Sequence, residues 1–205
     1  MATPEPTVFI VEDDEAVRDS LRLMLESLGH SVASYGRADE FLESYDPELP
    51  GCIVLDIRMP GMNGMELQRK LNAMTSILPI IFVTGHGDVP MAVEAMQQGA
   101  VDFVQKPYRE QDLLDKIQTA IAQDAQNRQE LQEVQLITGR YDALTPRERE
   151  VMEMMVDGKA NKVIAIDLDI SQRTVEIHRA RVMEKMGARS LAQLVRMSMA
   201  MKQGN

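Results

Sequence analysis

An apolar run that ends in a single carboxylate constrains the fold of this chain most strongly. Residues 52–55 are apolar, and Asp56 follows them directly. Three other short runs, 8–11, 80–83 and 102–105, also end in polar side chains. Runs of this kind are typical of buried parallel strands. Because the carboxyl ends of parallel strands share one edge of a sheet, we expect these polar residues to meet in one crevice, with Asp56 at its centre.

Helix-like segments alternate with the strand-like runs from residue 7 to about residue 122. A further short strand is expected over 31–34. Five helices are predicted, over 15–28, 38–45, 65–74, 89–98 and from 109 onward. Five such units imply right-handed crossovers and a sheet covered on both faces. The predicted fold is an α/β flavodoxin-like domain with a five-stranded parallel sheet in the order 2-1-3-4-5.

From residue 142 the pattern is helical throughout, and four helices are predicted. Thr145 and Glu148 form a capping-box pattern at the start of the first helix. A short helix over 159–168, a tight turn and a longer helix over 171–186 make a helix-turn-helix pattern. Its predicted core consists of eight apolar side chains, Val163, Ile164, Ile166, Leu168, Ile170, Val175, Val182 and Met186.

The segment 123–141 is predicted to be a helical linker. The fifth helix has no obvious end before Gly139, which is the expected break. A short coiled coil is the alternative. A simple helical linker is favoured because Asp124 and Arg128 stand where a coiled coil needs apolar residues.

Charge also divides the chain into two parts. Residues 1–139 include 23 acidic and 10 basic side chains, whereas residues 140–205 include 9 acidic and 12 basic ones. This asymmetry indicates two domains with different partners. The single cysteine, Cys52, excludes an intrachain disulfide and suits a reducing cytoplasm, which is the predicted location. No segment reaches the ~18 consecutive apolar residues of a membrane span, so no membrane association is expected.

The predicted crevice has the side chains that phosphoryl chemistry needs. Glu12, Asp13 and Asp56 would crowd three carboxylates together, which a hard cation such as Mg²⁺ would neutralise. A free oxygen of Asp56 could then attack a phosphoryl group. Thr84 and Lys106 could receive the phosphoryl oxygens. Taken singly, each of these residues is more often an ordinary solvated or capping side chain, and only their joint placement favours a site.

These motifs resemble the receiver domain of two-component response regulators. The resemblance rests on four segments, VEDD at 11–14, LDIRMPG at 55–61, VTGH at 83–86 and KP at 106–107. It implies that residues 1–122 form a receiver domain in which Asp56 accepts a phosphoryl group from a sensor histidine kinase. It also implies an Mg²⁺ site made by Glu12, Asp13, Asp56 and the backbone carbonyl of Arg58.

The same resemblance assigns the remaining receiver residues. Thr84 and Lys106 would bind the phosphoryl group, Phe103 would be the aromatic switch residue, and the Lys106–Pro107 peptide would be cis. The sequence departs from the family at Glu12, where many receivers have aspartate. The longer side chain should alter the position of the metal without abolishing binding.

The second part of the chain resembles the LuxR/GerE-type DNA-binding domain, over residues 142–205. The resemblance rests on LTPREREV at 144–151, NKVIA at 161–165 and TVEIHR at 174–179. It implies contacts with the DNA backbone by five residues, Lys162, Thr174, Arg179, Arg181 and Lys185. It implies that four residues face the bases, Arg173, Glu176, Ile177 and Ala180. With the receiver in front, the whole chain is similar to the FixJ subfamily.

The predicted function is a transcriptional regulator that binds DNA when phosphorylated. Phosphorylation of Asp56 would promote a homodimer through the surface of the fourth helix and fifth strand, and the dimer would bind a two-fold promoter site and act on RNA polymerase. The apolar residues Met91, Val93 and Met96 of that surface fit core packing equally well. Self-phosphoryl transfer and slow autodephosphorylation would be its only catalysis.

Two other functions fit parts of the sequence. An aspartyl-phosphate hydrolase would also use aspartate, threonine, lysine and Mg²⁺, but it needs an acid two residues after the nucleophile, where this chain has Arg58. A phosphate-relay protein without DNA binding is disfavoured by the complete helix-turn-helix segment.

Overall fold

The structure is a computed structural model that describes residues 4–85 and 89–203. Its internal contacts divide the chain into two compact units, one up to Arg128 and the other from Gln129. The domain limits predicted from the sequence, at residues 122 and 142, remain predictions. In the described part of the chain, no helix is long and apolar enough to cross a membrane.

The first unit alternates strands and helices. Its strands are β1 (Thr7–Val11), β2 (Ser31–Tyr35), β3 (Gly51–Leu55), β4 (Ile80–Thr84) and β5 (Asp102–Gln105). Its helices are α1 (Glu15–Ser27), α2 (Ala38–Ser44), α3 (Gly64–Ala73), α4 (Val89–Gln97) and the first part of α5 (Glu110–Asp142). All neighbouring strands are parallel, in the order β2-β1-β3-β4-β5. The predicted fold of this part is confirmed.

Both faces of the sheet are buried, because successive residues of a strand point to opposite faces. Phe9 and Ile53 belong to a core on one face, which includes residues of α2 and α3. Val8 and Cys52 belong to a core on the other face, which includes residues of α1 and α5. This two-sided burial explains why the strands are continuous apolar runs.

Helix α5 continues through Gly139 to Asp142, so the predicted break at Gly139 was wrong. A glycine inside a helix costs only about 1 kcal/mol relative to alanine. Ile137 is buried in the core of the second unit, and Tyr141 packs against that core. Burial of these side chains offsets the weak helix propensity of the glycine between them.

The second unit is helical after the end of α5. Its helices are α6 (Pro146–Val156), α7 (Asn161–Asp167), α8 (Gln172–Met186) and α9 (Leu191–Gln203). The predicted capping box is present, because the Thr145 hydroxyl accepts from the amide of Glu148 and the Glu148 carboxylate accepts from the amide of Thr145. Gly187 ends α8 with a left-handed backbone conformation, φ 67°. The predicted four-helix module is confirmed.

Two of the predicted core residues of the helix-turn-helix segment are exposed instead. Ile166 is 70% exposed and Val163 is 43% exposed, whereas Ile164 is buried. Helix α7 has only two turns. Helical geometry places Ile164, Ala165 and Leu168 on one side of it, and Val163 and Ile166 on the opposite side. The apolar run 163–166 therefore cannot be buried as a whole.

Candidate functional site

The predicted site residues meet because the backbone pairing of the sheet continues one residue beyond the strands. The amide of Asp56 donates to the carbonyl of Val11 at 2.9 Å, which places Asp56 beside Glu12. The amide of Lys106 donates to the carbonyl of Thr84 at 2.9 Å. Parallel pairing thus brings residues from four strand ends to one edge of the sheet.

Three carboxylates lie together at this edge. One oxygen from each of Glu12, Asp13 and Asp56 lies within 4.8 Å of the other two. Glu12 and Asp56 are buried and Asp13 is exposed. Oδ1 of Asp56 is buried and has no hydrogen-bond partner among the residues that the structure describes. This set of oxygen donors, closed on one side and open to solvent on the other, fits Mg²⁺, which keeps several water ligands.

Lys106 provides the positive charge of the site. Its Nζ atom lies 2.6 Å from Oε2 of Glu12 and 3.9 Å from Oδ1 of Asp56. The Lys106–Pro107 peptide is cis, as the resemblance implies. The lysine is therefore within reach of both buried acids.

Burial controls the protonation of the two inner carboxyls. It raises the pKa of Glu12 and of Asp56, and desolvation of the carboxylate is the largest cause in both. Lys106 acts against this shift, lowering the pKa of Glu12 through a hydrogen bond and that of Asp56 through its charge. A further cation in the group would stabilise the charged forms, since opposite charge lowers a carboxyl pKa.

The turn that follows Asp56 requires a glycine at position 64, which sequence analysis did not assign to the site. A Cβ on Gly64 would lie 2.3 Å from the carbonyl oxygen of Asp56. The Gly64 amide donates to the carbonyl of Ile57 at 2.9 Å. A capping box between Asn63 and Glu66 starts α3 beside it. The N-x-x-E spacing at 63–66 was the available signal for this turn.

The other predicted receiver residues lie on β4 and β5 or follow β3. Thr84 is buried at the end of β4, and Phe103 is partly buried against the core that contains Phe9 and Ile53. Arg58 is exposed and lines an open groove together with Asp13. The segment 83–86 includes one residue, His86, that lies outside the described residues, as do the two that follow it.

The predicted dimer surface on α4 is partly exposed. Val93 and Met96 are 48% and 45% exposed. Met91 is half-buried and packs against the receiver core. Core packing, the alternative for this stripe, therefore applies to Met91 and does not explain the other two side chains.

In the second unit, α8 has an apolar inner side and a polar outer side. Val175, Val182 and Met186 are buried. Seven of the nine predicted DNA-binding side chains on α7 and α8 are exposed, namely Lys162, Arg173, Glu176, Ile177, Ala180, Arg181 and Lys185. Thr174 and Arg179 are half-buried. The exposed face of α8 is mainly polar and mixed in charge, with three basic residues (Arg173, Arg181 and Lys185), two acidic ones (Glu176 and Glu184) and the apolar Ile177 and Ala180. A face of this kind can enter a major groove.

Two of the predicted DNA contacts also have partners within the fold. Nζ of Lys185 lies 2.7 Å from Oε2 of Glu148 and 3.3 Å from the carbonyl of Ala143. The hydroxyl of Thr174 lies 2.8 Å from that of Ser171, which caps α8. Both residues therefore stabilise the module itself, and their contact with DNA remains a prediction.

Known families and proteins match both parts of the chain. Residues 8–118 match the model of the response regulator receiver domain, and residues 142–198 match that of bacterial regulatory proteins of the luxR family. The transcriptional regulatory protein FixJ of Bradyrhizobium diazoefficiens is 45% identical over 197 residues, which are 96% of each chain. Nodulation protein W of the same organism is 44% identical over 197 residues, 96% of this chain and 87% of that protein.

A solved structure agrees with these matches. That of the response regulator StyR has a TM-score of 0.83 and 45% identity, over 95% of this chain and 98% of that one. The chain therefore belongs to the FixJ-like response regulators and is a phosphorylation-dependent transcriptional regulator of a two-component system.

Proposed function

We propose that Asp56 accepts a phosphoryl group from the phosphohistidine of a sensor histidine kinase. An oxygen of Asp56 attacks phosphorus, the N–P bond of the donor breaks, and an O–P bond forms. The observation that supports this role is the meeting of Asp56 with Glu12, Thr84 and Lys106 at one edge of the sheet. Lys106 and the hydroxyl of Thr84 bind the transferred phosphoryl oxygens, which carry most of the developing charge.

The acidic group holds Mg²⁺ through Glu12, Asp13 and Asp56, together with the backbone carbonyl of Arg58. When bound, the ion neutralises charge on the phosphoryl oxygens and on the carboxylates. The orphan oxygen of Asp56 and the exposed carboxylate of Asp13 support this assignment. The carboxylate of Glu12, which lies 2.6 Å from Nζ of Lys106, would serve both the ammonium and the ion.

The chain does not turn over external phosphate esters. Two residues after Asp56, Arg58 occupies the place where an aspartyl-phosphate hydrolase needs a general acid or base. A guanidinium, unlike a carboxyl group, does not serve as a general acid or base. Slow hydrolysis of its own acyl phosphate is the remaining catalytic step.

Phosphorylation promotes a homodimer through α4 and β5. Thr84 and Phe103 respond to the phosphoryl group, and the exposed Val93 and Met96 provide apolar contact area. The dimer presents two copies of α8 to a two-fold promoter site, where it acts on RNA polymerase. A regulator that binds DNA and receives its phosphoryl group from a kinase acts in the cytoplasm.

The proposed domain limits are a receiver over 1–122, a helical linker over 123–141 and a DNA-binding domain over 142–205.

A comparison of the wild type with Asp56→Asn tests these assignments. Each protein is incubated with Mg²⁺ and a small phosphodonor. Intact-mass spectrometry detects the phosphoryl group, light scattering measures the oligomeric state, and titration against enriched genomic fragments measures DNA affinity. The wild type should gain one phosphoryl group, dimerise and bind DNA more tightly, while Asp56→Asn does none of these.

Each other outcome contradicts one assignment. Equal DNA binding by both proteins as preformed dimers would remove Asp56 from the control of assembly. Phosphorylation without binding to any fragment would favour a phosphate-relay protein. Continuous release of phosphate from the donor by the wild type would favour the hydrolase.

A further inference from the structure

The guanidinium of Arg18 contacts the backbone of both acidic residues that follow β1. Its Nη1 atom donates to the carbonyl oxygen of Glu12 at 2.8 Å and to that of Asp13 at 3.3 Å. Arg18 lies in the second turn of α1 and is half-buried. One side chain therefore holds the turn between the strand and the helix at two successive peptide groups.

Helix geometry explains why a residue at this position can reach back to the strand end. Side chains of a helix lean toward its N-terminus, so a long side chain in the second turn covers the residues before the first turn. Asp14 caps α1 by accepting from the amides of Ala16 and Val17. The cap and Arg18 hold the turn from its two sides.

The guanidinium also lies close to Gly36, in the loop between β2 and α2. A Cβ built on Gly36 would lie 3.4 Å from Nη1 of Arg18, which is ordinary van der Waals contact. A larger residue at position 36 would therefore touch the guanidinium. The guanidinium lies in a defined place and is not a freely moving surface charge.

We propose that Arg18 is a positioning residue for the Mg²⁺ site. It fixes the peptide groups of Glu12 and Asp13, and these peptide groups set the directions in which the two carboxylates point. This inference rests on the proposed function, in which these carboxylates bind Mg²⁺. Groups that orient metal ligands affect metal affinity strongly although they do not touch the metal.

Because Arg18 is positively charged, the direction in which Mg²⁺ affinity changes when Arg18 is removed tests the proposal. A positive charge near a cation site weakens cation binding, so removal of that charge would by itself tighten Mg²⁺ binding. Loss of positioning has the opposite effect. Weaker Mg²⁺ binding after removal of Arg18 can therefore not be an effect of its charge.

The experiment is a Mg²⁺ titration of full-length wild type and Arg18→Met, followed by the NMR amide signals of residues 12–14 and 56–58. We expect Mg²⁺ binding by Arg18→Met to be about tenfold weaker, at the lower end of the losses that follow removal of such supporting groups. Phosphorylation by a small phosphodonor should become slow at low Mg²⁺ and recover at saturating Mg²⁺, because Arg18 acts only through the ligands.

Arg22→Met is the matched control, since Arg22 lies one turn further along α1 and pairs with the side chains of Asp19 and Glu26. The Mg²⁺ affinity of Arg22→Met should equal or slightly exceed that of the wild type. Thermal unfolding without Mg²⁺ shows whether either variant is misfolded.

Unchanged or tighter Mg²⁺ binding by Arg18→Met overturns the inference. Absence of Mg²⁺ binding in the wild type contradicts the metal site itself. A rate defect that persists at saturating Mg²⁺ assigns Arg18 a role other than ligand positioning.

Discussion

The ammonium of Lys106 lies closer to Glu12 than to the proposed phosphoacceptor Asp56, at 2.6 Å and 3.9 Å respectively. The two acids are 5% and 9% exposed at their side chains, and the lysine is 22% exposed. In this arrangement Lys106 neutralises the buried acids. In the proposed phosphoryl transfer to Asp56, the ammonium moves from a carboxylate to the phosphoryl oxygens.

Replacement of Lys106 should therefore have two separable effects. In Lys106→Met without Mg²⁺, the buried acids lose their cation, and the free energy of unfolding should fall by about 1–3 kcal/mol. Mg²⁺ should restore much of this loss, because a ligand that binds only the folded state stabilises it. Phosphorylation should remain about 10²-fold slower even at saturating Mg²⁺, since a donor to the transferred group is missing.

Lys116→Met is the control for the stability effect. Lys116 pairs with Asp102 in the same domain, and both side chains are about one-third exposed. Mg²⁺ should stabilise this variant only as much as it stabilises the wild type, because the acidic group is intact. Chemical denaturation with and without Mg²⁺ measures the difference, and equal Mg²⁺ effects in the two variants would show that Lys106 does not serve the acidic group.

The convergence of the acidic site could be predicted because parallel pairing places strand ends at one edge whatever the details of the helices. Asp56, Glu12 and Lys106 follow three of these ends directly. Arg18 and Gly64 could not be assigned, since their roles depend on where backbone atoms of other segments lie. The N-x-x-E spacing at 63–66 indicates where α3 begins. No pattern indicates that a carbonyl lies 2.8 Å from Nη1 of Arg18, or would lie 2.3 Å from a Cβ at position 64.

The charged residues of the linker segment illustrate the same limit. The polar side chains of Asp124 and Arg128 disfavour a coiled coil, but nothing in the sequence predicts which groups they bind. Oδ2 of Asp124 accepts from the amide of Gly51 at 2.9 Å and from Nε of Arg128 at 2.8 Å. Arg128 also donates to the carbonyls of Pro47 and Leu49, at 2.9 Å and 2.6 Å. These contacts fix α5 to the start of β3 as far as Arg128.

Loss of Arg128 should destabilise the receiver markedly. The side chain of Asp124 is 1% exposed, so Arg128→Met leaves a buried carboxylate without its counter-charge. Breaking a buried pair in this way costs about 3–5 kcal/mol. The double variant with Asp124→Asn should recover part of the loss, because it removes the buried charge. Urea unfolding of the full-length protein, followed by signals from the first unit, measures both values.

Arg109→Met is the matched control for Arg128. Its side chain is 87% exposed and pairs with Asp112, three residues further along the chain, so its loss should cost less than about 1 kcal/mol. Similar values for the two arginine variants would contradict the stabilising role of the buried pair.

Glu148 should make the DNA-binding module sensitive to acid. The hydrogen bond from Lys185, followed by that from the amide of Thr145, lowers the pKa of Glu148 from 4.5 to about 2. Because the unfolded chain takes up this proton at a higher pH than the folded one, protonation favours unfolding. The contribution is complete above the ordinary pKa of 4.5 and is lost as the pH falls toward about 2.

Amide hydrogen exchange in α6 and α8, corrected for intrinsic rates, measures this loss of stability between about pH 6 and about pH 3. Glu148→Gln should reduce the pH dependence of protection. Glu150→Gln is the control, since the carboxylate of Glu150 is half-exposed and pairs with Arg147 on the surface. An unchanged slope in Glu148→Gln would exclude Glu148 as the acid-sensitive group.

Substitutions on the exposed face of α8 should show which residues determine DNA affinity and which determine base preference. Arg181 and Glu176 are both exposed there. If Arg181 neutralises one phosphate, Arg181→Met should weaken binding to all sequences and reduce the slope of log K against log salt by about 0.9. Glu176→Ala should instead change the preference at one base pair, by about 1–3 kcal/mol, because a carboxylate accepts from a cytosine amino group.

Arg196→Met is the control, since Arg196 is exposed on α9, outside the helix-turn-helix segment. Fluorescence titration of a selected site and its single-base variants, at several salt concentrations, distinguishes these effects. The loss of a negative charge from α8 favours contact with phosphates for every sequence alike. A uniform gain in affinity for Glu176→Ala, without a change in base preference, would therefore mean that this acid only repels the DNA backbone.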